Sequence, residues 1–232
     1  MNRVTGIIIG VIVAAFVVFA IWTTAEKKEN ATDFTNYDEY SIMEPNDANG
    51  GIADHVKGNK DAKVIIYEYA DYQCPGCASV NPWVNKLVEE YGDKIGIVYR
   101  SFLLSYHANA HAAAAAAEAA GLQGYWKKYA DFLFSNQSEW EYASASERGN
   151  YFVKYFNEVT DGKGDLEKFK TDMISDAVSA KIDFDVALAQ KVEITATPAF
   201  YMDGEMLDWY DNSSQVSFLD FMRKKIDEKL AE

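Results

Sequence analysis

The chain has 232 residues, of which 22 are Lys or Arg and 36 are Asp or Glu, so its formal net charge is −14. Acidity on this scale disfavours binding to nucleic acid and to anionic lipid headgroups. The sequence contains 2 cysteines, which excludes a zinc site with four thiolates from this chain.

Residues 1–22 are predicted to form a membrane anchor. The segment Val4 to Trp22 carries no charge and is rich in Ile, Val, Ala and Phe, and its length is close to the about 20 residues that a spanning helix needs. A signal peptide usually has a shorter apolar stretch, and Thr23-Thr24-Ala25 is a weak cleavage site. We therefore favour an uncleaved single-pass anchor over a signal peptide. Arg3 predicts that the remainder of the chain lies outside the cytoplasm, where disulfides persist.

The next segments predict a polar linker and then the start of an α/β domain. Residues 23–55 are rich in Asn, Asp and Thr and are predicted to be the linker. Lys63–Ala70 is a run of β-branched and aromatic residues that indicates a buried central strand. A helix should begin at the C-x-x-C sequence and end near Glu90, and a second strand is predicted over Ile95–Phe102.

The pattern then becomes helical and returns to strands near the C-terminus. The predicted helices are His107–Ala120, Tyr125–Phe134, Ser144–Val159, Asp165–Lys191 and Ser217–Leu230. Between the last two, Ala199–Met202 and Glu205–Trp209 form a predicted hairpin around Asp203-Gly204. This order predicts an α/β domain in two parts, 56–106 and 192–232, with a helical insertion over 107–191.

Both cysteines lie in one motif, Cys74-Pro75-Gly76-Cys77. Closing so short a loop restricts the unfolded chain little, so a stabilising disulfide is a poor explanation for the pair. Pro75 suits the first turn of a helix, and a thiol at a helix N-terminus is stabilised as the thiolate. Cys74 is therefore predicted to be the exchanging nucleophile, and Cys77, one turn later, to resolve the mixed disulfide.

Half of a zinc site is the alternative interpretation of the same cysteines. His107 and His111 are spaced i, i+4 and could share a ligand face, but they lie far beyond the usual finger spacing of about 12–15 residues. We expect them to cap or pack the start of the alanine-rich helix, and we predict no metal. No bound cofactor is expected, because the electrons reside on sulfur.

Taken together, these features resemble the DsbA family of thioredoxin-fold disulfide oxidoreductases. The resemblance is carried by Glu68 shortly before a C-P-x-C, by the helical insertion and by the late Thr197-Pro198. The insertion is similar to that of membrane-anchored and Gram-positive or archaeal-type members in three motifs, namely His107-x-x-x-His111-Ala-Ala, Gly124-Tyr125-Trp126 and Phe132-Leu133-Phe134. The match covers Val56 to the C-terminus and implies a thioredoxin-like fold with an inserted helical subdomain.

The resemblance also implies roles for particular residues. Glu68 matches a buried acid that exchanges a proton with the resolving cysteine; a salt-bridged glutamate is the alternative. Pro198 matches a cis-proline beside which the Thr197 backbone binds an extended substrate; an ordinary trans proline is the alternative. Tyr72, next to the motif, is expected to line an apolar docking surface for unfolded chains.

The expected function is an extracytoplasmic thiol–disulfide oxidoreductase, most simply an oxidase. Many family members have Pro-His between the cysteines, whereas Gly76 here supplies no side-chain donor or charge. A disulfide isomerase or reductase therefore stays open, as does a non-catalytic chaperone-like or metal-binding module. The expected partners are exported polypeptides that contain cysteine and a membrane redox partner that recycles the dithiol.

Overall fold

The strands and helices that were predicted occur in the predicted order, together with one strand and one short helix that were not predicted. The computed structural model describes residues 34–210 and 217–232. In this part of the chain the strands are β1 (His55–Gly58), β2 (Val64–Ala70), β3 (Ile95–Ser101), β4 (Ala199–Met202) and β5 (Glu205–Met206). The helices are α1 (Pro75–Tyr91), α2 (Ala110–Gly121), α3 (Trp126–Ser135), α4 (Gln137–Trp140), α5 (Arg148–Val159), α6 (Leu166–Asp172), α7 (Asp176–Lys191) and α8 (Phe218–Ala231).

The sheet places β2 at its centre. Among the described residues the strand order is β1-β3-β2-β4-β5. Strands β2 and β3 are parallel, and the other neighbouring pairs are antiparallel. Six of the seven residues of β2 are buried, because both faces of the sheet are covered. Glu68 lies in this strand, opposite Tyr99 of β3 and Phe200 of β4.

Different helices provide the two main hydrophobic clusters. Helices α1 and α8 bury Val84 and Met222 in one cluster with Ile66 of the sheet. The insertion forms the other cluster, in which the alanines of α2 pack beside Trp140 and Phe156. Alanine side chains are small, so neighbouring helices approach α2 closely and leave little unfilled volume.

Several boundaries differ from the prediction, including the start of α2, which is Ala110 and not His107. The helix predicted over Asp165–Lys191 is divided into α6 and α7. Ser175 is the N-cap residue of α7, where its hydroxyl accepts a hydrogen bond from the Val178 N–H. The helix predicted from Ser144 begins at Arg148. The last predicted strand shrinks to Glu205–Met206. Strand β1 and the short helix α4 were not predicted.

The linker prediction is wrong for residues 37–55, which belong to the same compact unit as the rest of the domain. Arg100 of β3 donates to the backbone carbonyls of Glu39 and Ser41 and to the Asp54 carboxylate. Lys181 of α7 donates to Asp54 at 2.9 Å and to Asp185 at 2.6 Å. We call Asp54, Arg100, Lys181 and Asp185 the N-terminal clamp.

The predicted anchor over residues 1–22 lies outside the described residues. Across 34–210 and 217–232, none of the helices combines the length and apolar character needed to cross a membrane.

Candidate active site

The two cysteines lie at the start of α1 in unequal surroundings. Cys74 is the N-cap residue, and Pro75 occupies the first turn, where its missing N–H removes no helical hydrogen bond. Both thiols are free. Cys74 is 7% exposed and Cys77 is completely buried, so an incoming sulfur atom can reach only the first of them.

Their acidities are shifted in opposite directions. A hydrogen bond from the Cys77 side chain is the largest cause that lowers the pKa of the Cys74 thiol to about 5. Burial opposes this shift, and hydrogen bonds with Thr197 and with the backbone amides of Gly76 and Cys77 add to it. Burial raises the pKa of the Cys77 thiol well above its usual range, and the neighbouring Cys74 adds to that effect. At neutral pH the pair therefore holds an accessible thiolate beside a buried thiol.

The loop before β4 faces Cys74. The Thr197–Pro198 peptide bond is cis, as the resemblance implied, and the Cys74 thiol lies 3.4 Å from the Thr197 carbonyl oxygen. Within the described residues no hydrogen bond involves the backbone N–H of Ala196 or Thr197. A Cβ atom at Gly76 would lie 3.2 Å from Pro198 Cδ and 3.6 Å from Cys74 Sγ, so even a small side chain there would crowd this loop.

Glu68 is buried in the central strand, β2. Its Oε1 atom has no hydrogen-bond partner in the part of the chain that the structure describes. Burial raises the pKa of Glu68 to about 7, and Lys57 offsets this only in part. Tyr99 interacts electrostatically with both Cys77 and Glu68, which places the acid and the resolving thiol around one tyrosine. A carboxyl with this pKa can take up or release a proton at neutral pH.

Lys57 belongs to a polar network that the sequence did not reveal. Its ammonium group donates to Asn81 Oδ1 at 2.7 Å and to Asp131 Oδ1 at 2.8 Å. The same Asp131 oxygen accepts the side-chain amides of Asn81 at 3.1 Å and Asn85 at 2.9 Å. These residues come from β1, α1 and α3, and no local pattern marks contacts between segments so far apart in the chain.

The helical insertion also fixes the loop that precedes Cys74. Gln137 at the start of α4 donates from Nε2 to the carbonyl oxygens of Tyr72 at 2.7 Å and Cys74 at 3.1 Å. The buried Asp71 accepts the Gln73 N–H at 2.8 Å and lies 2.8 Å from His107 Nδ1. The run Asp71-Tyr72-Gln73 after a strand was a detectable signal for a turn, but not for these partners.

His107 and His111 are not brought together with the cysteines as ligands. His107 pairs with Asp71, and its carbonyl oxygen accepts the Ala110 N–H at the start of α2. His111 is exposed on that helix. Across residues 34–210 and 217–232 no group of three or more His, Cys, Asp or Glu side chains is arranged to hold a metal ion.

The prediction that Tyr72 lines a docking surface is wrong, because its side chain is buried. The centroid of the Tyr72 ring lies 5.0 Å from the centroid of the Tyr99 ring and 4.9 Å from the centroid of the Phe134 ring. Exposed aromatic surface comes instead from Tyr106 and Tyr142, which line a cavity of about 430 Å³ next to Pro75. Tyr106 lies in the loop just before the insertion and Tyr142 in a loop within it, and sequence alone could not place either of them near the motif.

Known proteins similar to this chain fall into two groups. The sodium/proton antiporter NhaA of Herminiimonas arsenicoxydans is 32% identical over 172 residues, which cover 74% of this chain and 26% of the antiporter. The chain thus spans about a quarter of the length of that relative. A thioredoxin-like oxidoreductase from Silicibacter pomeroyi aligns at a TM-score of 0.61 and 24% identity, covering 77% of this chain and 93% of that one. BdbD from Bacillus subtilis aligns at a TM-score of 0.61 and 20% identity, and the alignment covers 83% of this chain and 98% of BdbD.

These structural likenesses confirm the fold. A family model described as thioredoxin matches residues 51–220, a span that includes the dithiol, Glu68 and the Thr197–Pro198 loop. Because this match covers most of the sequence, the chain belongs to the thioredoxin family.

Proposed function

We propose that the protein is a thiol–disulfide oxidoreductase in which Cys74 exchanges disulfides with substrate. The observation that carries this proposal is the asymmetry of the cysteine pair. Cys74 combines partial exposure with a lowered pKa, whereas Cys77 is buried with a raised pKa. A structural pair would need no such difference, but an attacking or leaving thiolate and a resolving thiol do.

In the oxidising direction the reaction starts from the Cys74–Cys77 disulfide. A substrate thiolate attacks Cys74 Sγ, which forms a mixed disulfide and breaks the bond to Cys77; Cys77 leaves as a thiolate and takes a proton from Glu68. A second substrate thiolate then attacks the substrate sulfur of the mixed disulfide and releases Cys74 as a thiolate. The substrate loses two electrons as its disulfide forms, and the protein disulfide gains them.

The loop containing Thr197 is the proposed docking site for the substrate backbone. The backbone N–H groups of Ala196 and Thr197 make no hydrogen bond within the described residues, so they are available to an extended peptide. The exposed rings of Tyr106 and Tyr142 supply apolar surface on the other side of the motif. Together these features suit unfolded polypeptides that contain cysteine.

Oxidation rather than reduction is the proposed direction, in the manner of the DsbA family. Stabilising the Cys74 thiolate stabilises the reduced protein, and this makes its disulfide a stronger oxidant. The uncharged segment Val4 to Trp22 supports an anchored protein acting outside the cytoplasm on exported polypeptides, with a membrane redox partner that reoxidises the dithiol. Ion transport belongs to the longer antiporter relative and is not proposed for this chain.

Disulfide transfer to a reduced peptide with two cysteines tests the activity. The oxidised full-length protein should convert the peptide to its disulfide, and Cys74→Ser should abolish this conversion without unfolding the domain. In the matched variant Cys77→Ser, the Cys74 thiolate should attack the disulfide form of the peptide and remain in a mixed disulfide with it, because the resolving sulfur is missing. Turnover retained in Cys74→Ser would contradict the proposal.

Equilibration of the full-length protein against glutathione mixtures tests the direction. Reduction potentials in this class run from about −270 mV for a thioredoxin-like reductant to about −120 mV for a strong oxidase. A value in the upper half of this range supports an oxidase. A value near the lower end would assign the protein to disulfide reduction or isomerisation.

A further inference from the structure

The Lys57 ammonium group lies near two carboxyl groups but is hydrogen-bonded to only one of them. In the described part of the chain Lys57 Nζ donates to Asn81 and Asp131, and no hydrogen bond joins it to Glu68. Glu68 Oε1 is left without a partner. A nearby cation favours the ionised form of an acid, so the partner that Lys57 takes affects how readily Glu68 holds a proton.

We propose that Asp131 is a positioning residue that holds the Lys57 ammonium group toward the helical insertion and so keeps the Glu68 carboxyl able to carry a proton. This proposal rests on the proposed function, in which Glu68 exchanges a proton with Cys77. The insertion would then do more than shape the substrate surface, since one of its side chains would control the acid inside the thioredoxin part of the fold.

The geometry around Asp131 suits such a role. Three donors, from Lys57, Asn81 and Asn85, converge on its Oδ1 atom, which fixes the carboxylate, and the bond to the ammonium is charge-assisted. The Lys57 side chain is 2% exposed and that of Asp131 is 29% exposed. The ion pair therefore connects the interior beside Glu68 with solvent.

Asp131 and Lys57 are the charged groups among those that face Glu68. The titratable neighbours of Glu68 in the described residues are Lys57 from β1, Tyr72 from the loop after β2, Tyr99 from β3 and Asp131 from α3, and Tyr99 also interacts with Cys77 of α1. Burial raises the pKa of both tyrosines and of Cys77 well above their usual ranges, so all three are neutral in the reduced protein at neutral pH.

Removing the charge of Asp131 should favour the ionised form of Glu68 through two separate effects. It deletes a negative charge that disfavours the ionised form of Glu68. It also frees the Lys57 ammonium group to turn toward the unpartnered Glu68 oxygen. Both effects favour the carboxylate over the carboxylic acid.

The test is an isotope-edited infrared titration of the Glu68 carboxyl in the reduced full-length protein, with the band identified by its absence in Glu68→Gln. We expect the midpoint in Asp131→Asn to fall by about one pH unit, whereas Asp131→Glu, which keeps the charge, should stay near the wild-type midpoint. Asp183→Asn is the matched control, because Asp183 is exposed on α7 and the substitution changes the net charge equally. An unchanged or higher midpoint in Asp131→Asn would overturn the proposal.

A double-mutant cycle keeps the proposal testable if one variant folds poorly. Lys57→Met should raise the midpoint, and adding Asp131→Asn to Lys57→Met should lower it far less than it does in the wild type. Equal effects of Asp131→Asn in both backgrounds would show that it does not act through Lys57. The titration needs no substrate, so its outcome is separate from that of the disulfide-transfer assay.

Discussion

Glu68 and Asp54 are both buried carboxyl groups of one domain, and their surroundings have opposite effects on them. At Asp54, burial alone would raise the pKa, but Lys181 and Arg100 outweigh it and hold the pKa well below its usual range. At Glu68, burial is offset only in part by Lys57, and the pKa rises to about 7. The difference lies in the partners, because both side chains are almost completely shielded from water.

This comparison separates a buried carboxylate that stabilises the fold from a buried acid that can exchange a proton. Asp54 accepts hydrogen bonds on both oxygens, from Lys181 on Oδ1 and from Arg100 and the Met43 N–H on Oδ2, and it holds residues 37–54 on the domain. Glu68 has an oxygen without a partner in the described part of the chain and shares Tyr99 as a neighbour with Cys77. A fully paired buried charge stabilises a fixed arrangement, whereas an underpaired one retains the ability to exchange a proton.

The largest expected effect comes from breaking the clamp. Asp54→Ala leaves Arg100 and Lys181 buried without a shared counterion, which should lower the free energy of unfolding by about 3–5 kcal/mol. Denaturant titration of the reduced protein measures this loss, with the exposed Asp61→Ala as the control. The pKa of Cys74 should stay unchanged, and a clear shift in it would break the separation between the two regions.

A smaller effect of opposite sign is expected at Glu68. Its folded pKa of about 7 is above its ordinary value of 4.5, so the cost of burying the charge is absent below about pH 4.5, grows as pH rises, and levels off above about pH 7. Glu68→Gln removes that cost and should stabilise the protein by up to about 3 kcal/mol at pH 8. The gain should vanish near pH 4.

Stability curves of wild type and Glu68→Gln across pH would check this expectation. Asp54 should show the reverse dependence in the wild type, since its pKa is lowered and its stabilising contribution is lost only as pH falls below about 4. If Glu68→Gln is no more stable than wild type at pH 8, Glu68 is better paired than its surroundings indicate.

The smallest effect is expected from adding a charge at the dithiol site. In Gly76→His a protonated imidazole should stabilise the Cys74 thiolate and raise the reduction potential by about 30 mV, the equivalent of about one pKa unit. Gly76→Ala is the control, because it introduces only the Cβ contact with Pro198 Cδ at 3.2 Å. Equal potentials in the two variants would mean that crowding, not charge, controls this position.

The residues that the sequence placed correctly are those with local signals. The run Lys63–Ala70 and Pro75 after Cys74 were sufficient to predict β2 and the start of α1. The cis bond before Pro198 followed from the resemblance. The predictions of β2 and of the start of α1 depend on residues that are close together in the chain, whereas the cis bond has no local signal of its own.

The residues that were missed make contacts between distant segments. Lys57 lay in a stretch without a strand signal, and its partner Asp131 is 74 positions away. The segment before β1 looked like a linker because it is polar, but its backbone carbonyls are hydrogen-bonded to the buried Arg100. A charged residue inside a strand shows that a partner is needed without showing which one.

The most direct test of the account is a pH titration of thiol reactivity in the reduced full-length protein, with Cys74→Ser and Cys77→Ser to assign each sulfur. Alkylation by iodoacetamide should show a single accessible thiolate, that of Cys74, with a midpoint at about pH 5. Cys77 should stay unreactive at neutral pH in the folded protein. Two thiols that both titrate near the ordinary value of 9 would contradict the assignment of Cys74 as the nucleophile.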